Sequence, residues 1–470
     1  MIHELLLSLL LLQAVPDSLP AVQKSADRAR PVRKAEEGSA ALYLMGPDAG
    51  FTQAGASWNG RSETTPLFQE EGRGLQEGQV NIRTLVRLDS LQAVRGSVRY
   101  TNGVKREVNW NSSSDYFVVY PYVIADTLGG NVNKEEYYFS GGYSARHGRF
   151  HWGVEGAYRA LHEYRMVDPR PRNIVSDLQV KASAGWRLLP GYVLEATAGY
   201  RRYSQTQSMA FISQRGKNSA VFHLTGLGNH FARFSGTTDT YMNTRYAGNG
   251  FSAGLAWSPV GQTGWEAGAE YSLLDLVHYL PNLNQVPYTE AYTRNLLARG
   301  AYVSRDGDLA WKAGAQLQYE WRQGLESILD NGSSGYLKEL GRFLMFSSDY
   351  LSAEVYGFLE WKRQWTAQGR VQYGSFGAKY AYPARSCARS GLNVLLEAAY
   401  RLEKGHWFVS PALQAGWYQF PVSAWKAGAS LHAERQITRH LSLYLQGSVQ
   451  AGFLQEGPSG LHTLTLGINF

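Results

Sequence analysis

Between His162 and Asn173 the chain reads HEYRMVDPRPRN, which places Arg165, Arg170 and Arg172 beside Asp168, with Pro169 and Pro171 between them. Three guanidiniums in so short a span can clamp an anionic ligand or a lipopolysaccharide phosphate through paired N–H donors. The plainer alternative is that Asp168 and the arginines tie the stretch to itself or fold it inward, stiffened by the prolines. That alternative is favoured, because a rigid, chemically dense loop more often constricts a pore than binds alone. A second set of charges recurs on the polar face of alternating segments: Glu155, Arg159, Glu195, Arg201, Glu266, Glu270, Lys312, Glu320, Glu354, Glu397 and Arg401. Opposed acids and bases lining a channel bias the passage of solutes. Paired with one another, the same residues would only stiffen a wall, and both readings stand. No HExxH or Walker loop is present, and the histidines show no compact ligand spacing, so no metal site or cofactor is expected. His223 and His230 flank a tight turn and read as an interfacial pair. A hydrolase would have to assemble its residues from distant segments.

The elements that must carry these charges are strands. In RFHWGVEGAYRA, Phe150, Trp152, Val154, Tyr158 and Ala160 share one face while His151, Glu155 and Arg159 share the other. The same alternation sets Tyr192, Leu194, Ala196, Ala198 and Tyr200 against Glu195, Thr197 and Arg201. It sets Leu309, Trp311, Ala313, Ala315, Leu317, Tyr319 and Trp321 against Lys312, Gln316, Gln318 and Glu320. Apolar positions every second residue over ~10 residues or more are what a tilted membrane strand requires. Trp152, Tyr192, Tyr200, Trp311 and Trp321 fall near strand ends, where interfacial aromatic girdles sit. The last strand, LHTLTLGINF, presents Leu464, Leu466, Ile468 and Phe470 on one side and Thr463, Thr465 and Asn469 on the other. A terminal aromatic on such a strand suits the closing strand of a barrel and a signal for the barrel assembly machinery.

Composition excludes other classes. Charged residues are only 18% while aromatics reach 13%, against about 25% charge in soluble domains. The single Cys387 excludes a disulfide framework. The net charge of +7 comes from Lys and Arg spread along the chain, so no nucleic-acid surface is expected. Residues 1–14 read as a signal peptide, residues 15–50 as a basic, weakly structured periplasmic arm or small plug, and residues 51–470 as the barrel. The arm is too short for the plug domain of a TonB-dependent transporter.

Counting back from Phe470, tight turns fall at Gln436–Arg439, Leu402–Gly405, Arg363–Trp365, Arg305–Asp308, Pro259–Thr263, Gly226–Asn229, Leu188–Gly191, Arg146–Arg149 and Asp89–Gln92. The longer connections alternate with them, including Asn111–Asn133 and Arg322–Ser348. Within the latter, Leu325–Leu340 has partial helical spacing and is expected as a loop helix. The count predicts an all-β, up-and-down antiparallel transmembrane barrel of about 20 strands, range 18–22.

PYVIADTLGG, Pro121–Gly130, and YRALHEYRMVDPRPRNIVSDL, Tyr158–Leu178, resemble an uncharacterised family of outer-membrane β-barrel proteins from Bacteroidota, the resemblance running from roughly Gln79 to the C-terminus. It implies a Gram-negative outer membrane, with lipid and lipopolysaccharide as surroundings, and brings no established activity or site residues. The expected function is a passive or facilitated channel for small polar or charged solutes. The alternative is a non-conducting accessory barrel beside a TonB-dependent nutrient or metal uptake system.

Overall fold

The computed structural model describes residues 40–45, 50–212, 220–236, 242–261, 263–283, 285–330, 337–438, 441–454 and 457–469. The expected signal peptide, most of the arm and Phe470 lie outside the described residues. The alternating runs form strands β1 (Phe51–Glu63), β2 (Gly74–Arg87), β3 (Gln92–Val108), β4 (Gly130–His147), β5 (Phe150–Tyr164) and β6 (Arg170–Leu189). They continue as β7 (Tyr192–Ala210), β8 (Thr244–Pro259), β9 (Gly264–Leu280), β10 (Val286–Asp306), β11 (Leu309–Asp330) and β12 (Lys338–Trp361). The last are β13 (Trp365–Tyr380), β14 (Arg385–Tyr400, extended by Leu402–Lys404), β15 (Trp407–Tyr418), β16 (Ala424–Thr438), β17 (Leu441–Leu454) and β18 (Gly457–Asn469). Each pairs antiparallel with its sequence neighbours, and β18 pairs with β1, Leu464 opposite Trp58, which closes an 18-strand barrel without a free edge.

At that seam the lumen-facing ring of Tyr444 lies over Gly467 and Gly55. A Cβ on Gly467 would fall 2.2 Å from the ring, so a side chain there would push the closing strand off its register. Beneath it, Glu434 of β16 accepts from Ser442 Oγ and, at 2.9 Å, from Asn469 Nδ2, stitching β16, β17 and β18 together.

The outer face carries the apolar set. Trp152, Val154, Leu194, Leu317, Val355, Leu413, Leu445 and Leu466 are all exposed, which in water would be an unmanageable patch and in lipid is the required surface. Trp186, Trp265, Trp361, Trp365 and Trp407 crowd the end with short turns, and Tyr271, Trp321 and Trp425 stand toward the other end. Trp311 and Trp321 lie ten residues apart on β11. At ~3.4 Å per residue and ~45° tilt that separates two girdles by roughly 24 Å, the height of an outer-membrane apolar band. The chain is therefore a β-barrel of the bacterial outer membrane. Turns of two to four residues join the strands at the end holding both barrel termini, the periplasmic end in such proteins.

Three expectations need correction. Gly226–Asn229 is not a barrel turn: with Leu227 and Gly228 at positive φ it turns a hairpin of Val221–Gly226 and Asn229–His230. Strands of six and two residues are too short to span, and removing that pair takes the expected twenty to eighteen. The hairpin packs inside, so His223 is buried and is no interfacial residue. Leu325–Leu340 is not helical where described. Its ends prolong β11 and β12, and bulges at Gly324/Leu325 and Ile328/Leu329 break the two-residue alternation into a spacing that mimics a helix.

The lumen is entered from both ends. From the periplasmic end, a short 3₁₀ helix, Ala40–Met45, sits against β5 and β6, with Ala40 over Gly153 and the Ala41 N–H donating to Ser183 Oγ at 2.8 Å. From the outer end come residues 109–129 and, of the connection after β7, the described residues 220–236. Cys387, exposed at the outer end of β14, reports the orientation: a membrane-impermeant maleimide should label it on intact cells as fully as on permeabilised ones. Labelling that requires permeabilisation would invert the barrel. In the bilayer midplane, Leu464→Arg should cost about 2–4 kcal/mol in urea titrations from lipid vesicles. The adjacent lumen-facing Thr465→Arg should cost far less, and equal costs would contradict the assigned faces.

Candidate functional site

Residues 109–129, between β3 and β4, carry Asn-Ser-Ser-Ser-Asp at positions 111–115, side chains that compete with regular structure by bonding backbone groups. Asn111 Oδ1 accepts from the Ser113 N–H at 2.9 Å, and Ser113 Oγ accepts from the Ile124 N–H at 3.1 Å, folding the segment back on itself. Asp115 takes the left-handed conformation, φ 49°, which Asp tolerates better than most residues, and Tyr116–Val119 then makes one helical turn. Ile124–Asp126 returns and pairs antiparallel with Val221–His223, so the two long outer segments share one small sheet.

Charged anchors fix this fold to the wall. Asp126 is fully buried and accepts from Arg165 Nη1 at 3.0 Å, Ser112 Oγ at 2.6 Å and the Leu128 and Gly129 N–H groups. Asp115 receives both terminal nitrogens of Arg159 and, at 3.0 Å, the Tyr203 hydroxyl. Ser114 Oγ donates to Glu163, which also meets Lys105 Nζ at 3.1 Å, and Lys105 in turn reaches Glu71 at 2.9 Å. Across the lumen, Arg322 Nη1 of β11 donates to the Phe117 and Tyr120 carbonyls at 2.9 and 2.5 Å.

Between the anchors lies an apolar clamp. Tyr116, Val119, Tyr122 and Val123 pack on the inward side chains of Leu161, Val175, Tyr203, Tyr246 and Leu276, from five successive strands. Burial pushes the Tyr116 and Tyr122 phenols well above their ordinary range and Tyr120 up to about 12, so all three stay neutral at physiological pH. The hairpin is seated the same way: His223 Nδ1 and His278 Nε2 both meet the Tyr288 hydroxyl, at 2.8 and 3.1 Å, and Tyr246 stacks on His278 at 3.8 Å.

The charges singled out from the sequence take these places. Arg165 points inward to Asp126, whereas Arg170 pairs with Asp168 at 2.9 Å and the exposed Arg172 donates to His162, so the three guanidiniums do not converge on one ligand. Asp168 also accepts from the Ile212 N–H at 2.8 Å, tying this turn to the start of residues 211–243. Arg159 and Arg201 meet at Asp177, Arg201 through two bonds of 2.8 Å. Glu266 pairs with Lys312 at 2.8 Å, Glu320 with Arg322 at 3.2 Å and Glu270 with Lys181 at 3.9 Å. Glu397 accepts from Gln368 at 3.0 Å. Glu155 and Glu195 face the lumen nearer the periplasmic end, Glu195 fully buried. Arg401 sits apart, at the strand break by the periplasmic rim with Glu403. The sequence reading had not singled out Asp115, Asp126, Lys105 or Tyr203. The serine run before Asp115 and the Gly-Gly after Asp126 were the available signals.

Beneath the Phe117 tip the wall recedes into a cleft of about 380 Å3 between β6 and β11. Gly250-Phe251-Ser252-Ala253-Gly254, on its wall, spells the G-x-S-x-G pattern of serine hydrolases. It runs as continuous strand through β8, without the strand-to-helix elbow that exposes such a nucleophile, so Ser252 is a wall hydroxyl.

Removing one partner of the buried Arg165–Asp126 pair leaves an uncompensated charge, at about 3–5 kcal/mol. Asp126→Ala should therefore open the aromatic-rich segment 116–122 to chymotrypsin while the barrel keeps its heat-modifiable gel mobility. Equal protection of variant and wild type would remove Asp126 as the anchor.

The chain belongs to a family of unknown function, DUF6850, which matches residues 39–444. No curated protein matches it in sequence. Among solved structures it is similar to the outer-membrane transporter YddB of Escherichia coli, with 9% identity, 89% of this chain and 81% of that one covered and a TM-score of 0.44. It is also similar to the ferric-catecholate import receptor Fiu of E. coli K12, with 9% identity, 90% and 82% coverage and a TM-score of 0.41. The ferric preacinetobactin receptor BauA of Acinetobacter baumannii matches at 8% identity, 90% and 80% coverage and a TM-score of 0.40.

Proposed function

We propose that this DUF6850 barrel is a passive or facilitated channel for small polar solutes, with residues 109–129 setting the constriction. The observation that carries this reading is the anchoring of that segment deep in the lumen, by Arg159 on one wall, which holds Asp115, and by Arg322 on another. A segment held across a lumen narrows the path to a defined size instead of sweeping it. The wall charges favour polar cargo without a strong sign preference, because the three guanidiniums of the ladder Arg99–Glu136–Arg159–Asp177–Arg201 face its two carboxylates and a third, Asp115, from the segment.

A second reading has its own support. The pairing of Ile124–Asp126 with Val221–His223 and the apolar clamp fill the outer lumen on the β5–β10 side, which suits a non-conducting barrel working beside a TonB-dependent uptake system.

Single-channel recording in planar bilayers separates the two. The channel reading expects stable open steps of weak ion selectivity. Asp115→Ala, which frees the Arg159 fork, should give larger and noisier steps. A silent bilayer from protein shown to be folded contradicts it and leaves the accessory role.

A further inference from the structure

The cleft under Phe117 is lined by six strands, β6 to β11, and by the tip of the inward segment. Two lumen-facing wall positions along it, Gly199 of β7 and Gly250 of β8, carry no side chain and stand close against their neighbours. A Cβ on Gly199 would come 2.4 Å from Ser252 Oγ, and one on Gly250 would come 2.8 Å from the Leu273 carbonyl. Its volume of about 380 Å3 lies within the ~300–1,000 Å3 of small-molecule sites.

One side of the cleft is apolar and the other polar. Phe117, 52% exposed, and Val118 form the loop edge, with Leu274 beside them on the wall. Opposite, the wall presents amides and hydroxyls: Gln179, Ser252, Ser272, Thr293, Asn295 and Gln318. Asn295 and Gln318 bond each other at 3.1 Å. Among the described residues, the side chains of Gln179, Ser252, Ser272 and Thr293 have no protein hydrogen-bond partner, so four neutral donor-acceptor groups face the space unspent.

The charges at the cleft are neutralised locally. Arg201 is held by both oxygens of Asp177, and Arg322 by Glu320 and two loop carbonyls. Lys181 and Glu270 stand 3.9 Å apart, each the other's ion-pair partner. A charged solute would have to break one of these pairs to gain a partner. A neutral molecule with hydroxyls around its edge and a C–H face would break none.

We infer that the cleft is a binding subsite for a neutral saccharide of one or two rings. Its C–H face lies on the Phe117 ring and its hydroxyls bond the amides and hydroxyls of β6, β8, β9 and β10. This names a cargo class for the proposed channel and rests on that reading for the claim of passage; binding itself does not depend on it.

The test is saturation-transfer difference NMR on the detergent-solubilised full chain, with maltose, cellobiose and sucrose as probes and arginine and citrate as charged comparators. At least one disaccharide should receive saturation at its ring C–H protons, and the comparators none. Phe117→Ala should weaken that binding about ten-fold, a loss of ~1.4 kcal/mol. Ser272→Leu, which fills the cleft, should abolish it, and Gln446→Ala on the distant β17 wall should leave it unchanged, all three keeping heat-modifiable mobility. Saturation of a comparator instead, saturation of no probe, or sugar binding indifferent to both cleft variants overturns the inference. Bilayer steps without sugar binding would remove this subsite and keep the channel, whereas sugar binding with a silent bilayer would do the reverse.

Discussion

The Asp126 carboxyl group has no exposed surface, and the interior of the barrel is arranged around that fact. A buried carboxylate is tolerable only when paired and hydrogen-bonded, and Asp126 meets the condition with Arg165, Ser112 and two backbone N–H groups. Those partners come from the β5–β6 turn and from both limbs of residues 109–129. The strand that carries Asp126 also pairs with Val221–His223, so one carboxylate joins three outer connections into a single body. Such a pair adds little net stability over an apolar substitute; what it supplies is one geometry in place of many.

The same logic runs down the wall. Arg159 stands between Glu136, Asp177 and Asp115, so the wall ladder and the inward segment share a cation, and the segment completes the charge balance of the barrel it enters. With Arg322 taking the opposite carbonyls, the Phe117 tip is suspended over a wall whose charges are already matched. What remains for a solute there is neutral hydrogen bonding and one aromatic face, an environment that follows from the anchoring and not from a separate design.

Much of the barrel was legible because a strand's two faces alternate residue by residue and lipid enforces the outer one. The faces read for β5, β7, β11 and β18 are those observed, since an inward Leu464 or an outward Glu195 would be costly in a bilayer. Where alternation failed, a local cause is visible: bulges in the β11–β12 extension imitate a helix, and the Gly226–Asn229 hairpin turns correctly but is too short to cross a membrane. The interior was less legible. Asp115 with Arg159, Asp126 with Arg165 and Tyr116 with Glu70 are pairs across 44, 39 and 46 residues, and spacing along a chain does not reveal such partners. The two stretches that carried the family resemblance, Pro121–Gly130 and Tyr158–Leu178, are the ones that Asp126 and Arg165 bring into contact.

The account stands on residues 109–129 being a fixed part of the lumen. Amide hydrogen exchange of the native protein in lipid nanodiscs measures this directly. The Ser112, Tyr120, Tyr122 and Ile124 N–H groups, bonded within the segment, should exchange as slowly as the β5 and β7 wall strands. Exchange as fast as that of the exposed turn at residues 381–384 would mean that the segment only visits the lumen, and the constriction and the cleft beneath it would have no fixed form.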